Sequence, residues 1–508
     1  MTDVIIHIED NLKDEELYFN DLFVPEMIKD KIINKNPNIN IYYSIPSAYK
    51  GKLNDSNNTI IREDSEDVKF WKKFFNNSKS DHAIVLNGDS PFFDTDILNE
   101  MLEIHLKYLA EFTFSENLPE GFACEIFSRE LVNQTPDTTE KTLPLSEVVK
   151  ANINKFDVEL FYKEPDIRKF RINFKLNNKR DKKIMENIYN INKSIPSYID
   201  VKNIIDSNPE VLFIGPSYIE VELTGKCELD CLFCYRNSIS PAHGDIASKT
   251  FSGVLEQLRG FDLPYTLCLS GSGEPMEHPE FYSLMETALK ENLLEQLIVE
   301  TNGVKADVNF KNFISKPENH KVKVIINNNA IDKESYIRFH KKDFFDSVFN
   351  NITSLAELNS PKEKQKQKIE ERIYIQIMKI NETDELSKES DVKSYLDKYY
   401  SFWENQKVPI ILQKQNTYFG RITDRRYSDL SPAKRTPCWH LQRDIYILSD
   451  GTVTFCKQYI DGKNNYGNIK DCSLKEIWNK QKDSFLKDYR GELPSDCKNC
   501  DEWYTFNF

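Results

Sequence analysis

Cys227, Cys231 and Cys234 fall within one short run, Thr224-Gly-Lys-Cys-Glu-Leu-Asp-Cys-Leu-Phe-Cys-Tyr235, at a C-x3-C-x2-C spacing directly after a strand-like stretch. Three thiolates in one loop can hold three irons of a cubane [4Fe–4S] cluster, which four cysteines ordinarily hold. The fourth iron is then open to a small-molecule ligand, as catalytic metal sites keep an open position. Zinc is the competing reading of the same cysteines, with His243 or a distant cysteine as fourth ligand.

Two more loops carry chemistry. In Ser270-Gly-Ser-Gly-Glu-Pro275, Gly271 and Gly273 let a ligand approach the backbone. Glu274 can accept from an ammonium group, and Pro275 stiffens the turn. In Glu300-Thr-Asn-Gly303, Thr301 and Asn302 can bond ribose hydroxyls through short polar side chains. A zinc site would leave both loops without a role. A second set of cysteines, Cys438, Cys456, Cys497 and Cys500, lies near the chain's end. Arg443–Gly451 reads as the first strand and turn of a hairpin, with Ser449-Asp-Gly451 as the turn, which draws Cys438 towards Cys456. The late C-x2-C can then close a four-thiolate site, for a second [4Fe–4S] cluster or for zinc. Cys124, Cys268 and Cys472 are read as small packed hydrophobes.

The elements that must position these groups follow from the pattern of the chain. Its 508 residues predict two or three domains. Residues 1–195 alternate strand-like runs (Val4–Ile8, His82–Leu86) with helical ones (Thr95–Leu109), the pattern of an α/β domain. Residues 196–214, rich in Asn, Ser and Pro, read as a linker. Residues 215–428 contain six apolar strand candidates: Tyr218–Leu223, Tyr265–Leu269, Gln296–Val299, Val322–Ile326, Ile373–Ile377 and Pro409–Leu412. Helical segments between most of them predict a parallel sheet curved into a partial (β/α)6 TIM-like barrel. The charged run Pro361–Arg372 reads as a solvated helix face. The three-cysteine loop, the Gly-Glu-Pro loop and the Thr-Asn-Gly loop follow the first three strands and therefore meet at the sheet's carboxyl edge. Residues 429–508 form a small segment that gains from a metal staple.

With these motifs in place, residues 215–428 resemble the radical S-adenosylmethionine enzymes. The resemblance implies that Cys227, Cys231 and Cys234 hold the cluster whose open iron is chelated by the methionine end of S-adenosylmethionine. It implies that Ser272, Gly273 and Glu274, matching a Gly-Gly-Glu-Pro motif with one Gly replaced by Ser, meet the amino group. Phe233 is placed near the adenine, and Thr301 and Asn302 on the ribose side. Reductive cleavage to a 5′-deoxyadenosyl radical, followed by hydrogen abstraction from a substrate, is the implied chemistry. One departure is Asn327-Asn-Asn329, where relatives often carry Ser-x-Asp. Residues 429–508 resemble the SPASM/twitch extension, through the spacing of Cys438, Gly451 and Cys456 and through Gly467-Asn-Ile469 and Glu476-Ile-Trp478, which implies one auxiliary cluster.

Residues 1–195 resemble nucleotide-sugar cytidylyltransferases, a three-layer α/β nucleotidyltransferase-like fold. The resemblance rests on His82–Asp94, with Asp89 at the metal-binding position, and on Arg171–Tyr189, with Asp181 heading a helix. The Gly-rich triphosphate loop is replaced by acidic Ile8–Glu16, and Asn177 stands where a second metal-binding Asp is expected, so this domain is read as non-catalytic. The whole arrangement resembles the group named spiro-SPASM proteins.

The implied activity is oxidoreductase-like modification of a peptide or protein substrate, with an electron donor such as a flavodoxin or ferredoxin. A radical oxidoreductase or dehydratase acting on a sugar or nucleotide sugar is one alternative, and an iron–sulfur binding protein without radical turnover is another. A net charge of −14 argues against a nucleic-acid surface as the main business, while leaving room for a local basic patch. No apolar run approaches a membrane span. The start of the chain lacks the pattern of a secretory signal, so a cytoplasmic setting is expected.

Overall fold

The computed structural model describes all residues except 56, 64, 137–142, 240–243, 360–370, 380–388, 425–431, 433, 434, 436, 501 and 504–508, and leaves out the side chains of 55, 379 and 389–394. His243 and most of the run Pro361–Arg372 lie outside the described residues. The chain divides into two compact units, Met1–Ile214 and Gly215–Phe508.

The first unit is built on β1 (Thr2–His7), β4 (Asn40–Pro46), β5 (Thr59–Arg62), β6 (His82–Asn87), β7 (Phe112–Phe114), β8 (Glu125–Ser128) and β9 (Val158–Leu160), with β2 (Tyr18–Phe19) and β3 (Leu22–Phe23) forming a separate hairpin. The seven-stranded sheet runs β5-β4-β1-β6-β8-β7-β9, parallel from β5 to β6 and antiparallel around β8. One core packs Trp71, Phe75, Phe112, Phe127 and Leu131 into contact. The stretch expected to be a linker instead folds into this unit. Ser197 accepts from the Asp200 N–H and Asp200 returns a bond to the Ser197 N–H, a capping box that starts the helix Tyr198–Ser207. The fully buried Tyr198 then donates its hydroxyl to the Pro165 carbonyl.

The second unit is a nine-stranded sheet made of β10 (Tyr218–Glu222), β11 (Tyr265–Ser270), β12 (Leu294–Thr301), β13 (Val322–Asn327), β14 (Ile373–Lys379), β15 (Ile410–Lys414), β16 (Asp444–Ile447), β17 (Thr452–Thr454) and β18 (Asn465–Asn468). Its order is β15-β14-β13-β12-β11-β10-β16-β17-β18. β10 to β15 pair in parallel, each with its sequence neighbour, as the six apolar runs require. Amphipathic helices make the crossovers. Ser248–Arg259, for example, buries Phe251, Val254, Leu255 and Leu258 on one stripe. The sheet remains open, with β15 at one edge and β18 at the other.

The C-terminal segment is not a separate layer. β16 pairs in parallel with β10, and the hairpin β16–β17 turns at Gly451, whose φ of 91° is a conformation suited to glycine. Among the described residues no helix is long and apolar enough to cross a membrane.

Candidate active site

The inner face of the second sheet has two storeys. Tyr218, Cys268, Ile298, Ile325 and Ile411 form an apolar floor. Two residues further along from Tyr218, Cys268, Ile298, Ile325 and the half-buried Tyr374 that packs against them, where alternation returns to the same face, comes a polar belt of Glu220, Ser270, Glu300, Asn327 and Gln376. Ser270 Oγ donates to Glu220 at 2.7 Å, while Gln376 and Asn327 amides donate to Glu300 at 3.0 and 3.2 Å. Burial pushes the Glu220 carboxyl up to about 7, against the pull of the Lys457 ammonium and with the Glu300 charge adding to the rise. This belt was not read from the sequence. Its signal was there in Tyr-Ile-Glu-Val-Glu, a buried strand that spends two inward positions on carboxylates.

Above the belt the three loops interlock. Gly273 lies against the cysteine loop so closely that a Cβ there would stand 2.2 Å from the Thr224 carbonyl oxygen and 2.4 Å from that of Lys226. The Glu274 N–H donates to the Lys226 carbonyl at 2.7 Å. Glu274 itself is 3% exposed and accepts from the Thr301 hydroxyl at 2.8 Å, the Asn302 N–H at 2.7 Å and the Met276 N–H at 3.2 Å. A carboxylate has about four acceptor positions, so one remains for an ammonium. Burial pushes this carboxyl up to about 7.

Not every expected ligand group is free for a ligand. The Thr301 hydroxyl donates to Glu274 and accepts from the Gly303 N–H. Ser272 gives both its N–H and its hydroxyl to Glu222. Both residues are buried and serve the loops themselves. Asn302 is half-buried, its amide 3.8 Å from the Cys227 sulfur. Of the departing triplet, Asn329 exchanges two hydrogen bonds with the Met378 backbone, so its amide braces β14.

Cys227, Cys231 and Cys234 are half-buried, unpaired thiols around one turn, with the Cys234 N–H donating to the Cys231 carbonyl. Burial pushes Cys227 up to about 11, and it raises Cys231 further, with Cys234 and Cys227 adding to that rise. Two unforeseen residues join them. His340 Nδ1 lies 3.2 Å from the Cys231 sulfur, and the Phe233 ring meets the His340 ring edge-on at 6.0 Å. Tyr235 faces Tyr418 with ring centroids 5.0 Å apart.

Cys438, Cys456, Cys497 and Cys500 line one small cavity together with Phe419 and Leu441. Burial raises the Cys456 thiol well above its ordinary value, and Cys500, Cys438 and Cys497 each push it further, which places the four sulfurs within electrostatic reach of one another. The surrounding frame is built from backbone bonds. Asp488 accepts from the Cys438 N–H at 2.6 Å, and Arg435 donates to the Cys497 carbonyl at 2.9 Å. Crowded, buried thiols of this kind become thiolates only around a cationic centre. Zinc draws its sulfurs to about 2.3 Å from one point, whereas a cubane takes one thiolate per iron at separate corners. Both donor sets fit a cubane. Of the three remaining cysteines, Cys124 and Cys268 are buried as expected, while Cys472 is half-buried and directs its sulfur at the Asn468 carbonyl.

In the first unit, Asp89 is 1% exposed, and neither of its carboxylate oxygens has a hydrogen-bond partner among the described residues. Burial pushes it up to about 6, and the Lys175 ammonium pulls against that rise. Lys175 is paired with Glu9, a residue of the acidic loop, and Asn177 also reaches Glu9. Asp181 lies in the first turn of the helix Lys179–Asn192.

Comparison with known proteins matches residues 221–384 to the Radical SAM superfamily and residues 438–501 to SPASM, an iron-sulfur cluster-binding domain. A protein of Treponema pallidum (strain Nichols) is 27% identical over 372 residues, 71% of this chain and 98% of its own length. Among solved structures, Streptococcus suis SuiB bound to the precursor peptide SuiA is 12% identical and superposes with a TM-score of 0.43, over 60% of this chain and 74% of its own. A cytidylyltransferase from Leptospira borgpetersenii is 17% identical, with a TM-score of 0.36, over 41% of this chain and 95% of its own.

Proposed function

We propose that this chain, which matches a radical SAM domain and a SPASM domain, is a radical S-adenosylmethionine enzyme that modifies a peptide or protein side chain. The observation that carries this reading is the interlock of the cysteine loop with the Gly-Glu-Pro and Thr-Asn-Gly loops above a buried belt of carboxylates. The radical SAM domain takes a [4Fe–4S] cluster and S-adenosylmethionine, and the SPASM domain an auxiliary iron–sulfur cluster. When bound and reduced, this pair supplies a 5′-deoxyadenosyl radical that abstracts a hydrogen atom from substrate.

In this reading, Cys227, Cys231 and Cys234 hold three irons of the first cluster. Gly273 and the last acceptor position of Glu274 receive the cofactor's amino group, Asn302 lies on its ribose side and Phe233 near the adenine. Ser272 and Thr301 keep these loops in register rather than touching the cofactor. Cys438, Cys456, Cys497 and Cys500 hold the auxiliary cluster. Glu220 and Glu300 face the substrate from the inner face of the sheet, where their carboxylates suit an amide or ammonium donor on it. The choice of a peptide rests on the character of the C-terminal extension, which resembles that of enzymes acting on peptides.

The test is an anaerobic incubation of reconstituted protein with S-adenosylmethionine and dithionite. 5′-Deoxyadenosine is the expected product, and its absence leaves only a binding role. Comparison of peptides between cells with the intact chain and cells with Cys231→Ala should then reveal a mass change in one peptide. A change confined to sugars or nucleotide sugars would overturn the peptide reading.

A further inference from the structure

His340 ends the helix Lys333–His340 and is 1% exposed. Both ring nitrogens are engaged. Nε2 accepts from the Asn329 backbone N–H at 3.4 Å, and Nδ1 faces the Cys231 sulfur at 3.2 Å. A backbone N–H can only donate, so Nε2 is the bare nitrogen and the proton of the neutral ring sits on Nδ1, aimed at the sulfur. The ring cannot turn away. Tyr336 packs over it at 4.5 Å between centroids and Phe233 meets it edge-on. The cysteine loop is fastened to the same helix end, since the Leu232 N–H donates to the Phe339 carbonyl at 2.8 Å and the Asp230 N–H to the His340 carbonyl at 3.4 Å.

We infer that His340 is a positioning residue that sets the reduction potential of the catalytic cluster, by donating its Nδ1–H to the sulfur of Cys231. The inference rests on the reading of Cys231 as an iron ligand. A hydrogen bond to a cluster sulfur is one of the levers on its potential. An N–H dipole stabilises the reduced, more negative state more than the oxidised one, so this bond raises the potential and eases entry of the electron. Asn329 acts one step further out by fixing the tautomer, as outer partners of metal-bound side chains do.

The experiment is an electron paramagnetic resonance redox titration of the anaerobically reconstituted full-length protein, following the signal that S-adenosylmethionine perturbs. His340→Phe keeps the ring and removes the donor. At any one fixed potential, the ratio of reduced to oxidised cluster should fall about tenfold, equivalent to a midpoint about 59 mV lower for one electron, while iron content and S-adenosylmethionine affinity hold. His340→Gln, with an N–H on a flexible arm, should recover part of the shift, and His340→Met, similar in size but without a donor, should not. This last pair gives the same comparison if phenylalanine disturbs the loop. Loss of iron with an unmoved midpoint, or equal midpoints for Gln and Met, would overturn the inference while leaving the site intact. A wild-type cluster with no response to S-adenosylmethionine would overturn the reading of the site and this inference with it.

Discussion

Glu274 shows how one buried carboxyl couples the site to pH. Its folded value, up to about 7, exceeds the ordinary carboxyl range because burial disfavours the charge. The native state therefore takes up this proton before the unfolded chain does, and the empty protein gains stability as pH falls from 7 towards the ordinary range. Cofactor binding has the opposite sign, since an ammonium needs the carboxylate. Affinity for S-adenosylmethionine should weaken below pH 7, approaching tenfold per pH unit. Anaerobic equilibrium binding between pH 5.5 and 7 measures this, and Glu274→Gln should flatten the profile. A flat wild-type curve would remove Glu274 from the contact. Gly273 is constrained by backbone rather than by charge. The atoms that an added Cβ would strike are carbonyl oxygens, which cannot rotate aside. Gly273→Ala should displace the cysteine loop and empty the first iron site, so that iron analysis finds about four irons per chain where wild type holds about eight.

At the scale of elements, Glu222 joins distant parts of the chain. It accepts from the N–H and hydroxyl of Ser272 and from the N–H and hydroxyl of Ser449, the latter two at 3.3 and 2.9 Å. Ser449→Ala removes one bond to a buried carboxylate, with an expected cost of about 1.5 kcal/mol. Urea unfolding of the reconstituted protein measures it, and an unchanged midpoint would show that the Ser449 hydroxyl does not hold the loop. Local signals made much of this frame legible in the sequence. All six strands of the parallel run lie where period and apolar length put them, and the three loops do emerge from successive strands. What was hidden depends on long-range pairing. Nothing near residue 444 announces that β16 will lie beside β10, more than two hundred residues earlier. Nothing in the sequence joins His340 to Asn329 and Cys231, which the fold brings to its two nitrogens. The helix Tyr198–Ser207 was legible in its Ser-x-x-Asp box but was masked by a linker-like composition.

Across the whole molecule, the two units carry different chemistry. In the first, Lys175 sits beside Asp89 and is paired with Glu9, and we propose that this unit, though its sequence resembles nucleotide-sugar cytidylyltransferases, is non-catalytic. No pyrophosphate should be released from CTP and a sugar acid, with or without magnesium, and measurable release would show that this unit is a working transferase. In the second unit, both cysteine sets belong to one sheet but to opposite edges of it. The C-x3-C-x2-C loop follows the end of β10, whereas Cys438 precedes β16 and Cys456 follows β17, which runs antiparallel back towards the start of β16. A strand of four or five residues separates those edges by about 15 Å, too far for the two sets to share a ligand. Replacing Cys438, Cys456, Cys497 and Cys500 with alanine should therefore leave the first cluster in place. Iron should fall to about four per chain, the signal that responds to S-adenosylmethionine should persist, and 5′-deoxyadenosine should still form. Under the proposed function the substrate-derived mass change should disappear, because the second cluster that would accept the substrate's electron or help seat the substrate is then gone. Loss of the S-adenosylmethionine-responsive signal in that variant would mean that the last cysteines supply the first site, and that the open iron is not held by Cys227, Cys231 and Cys234 alone.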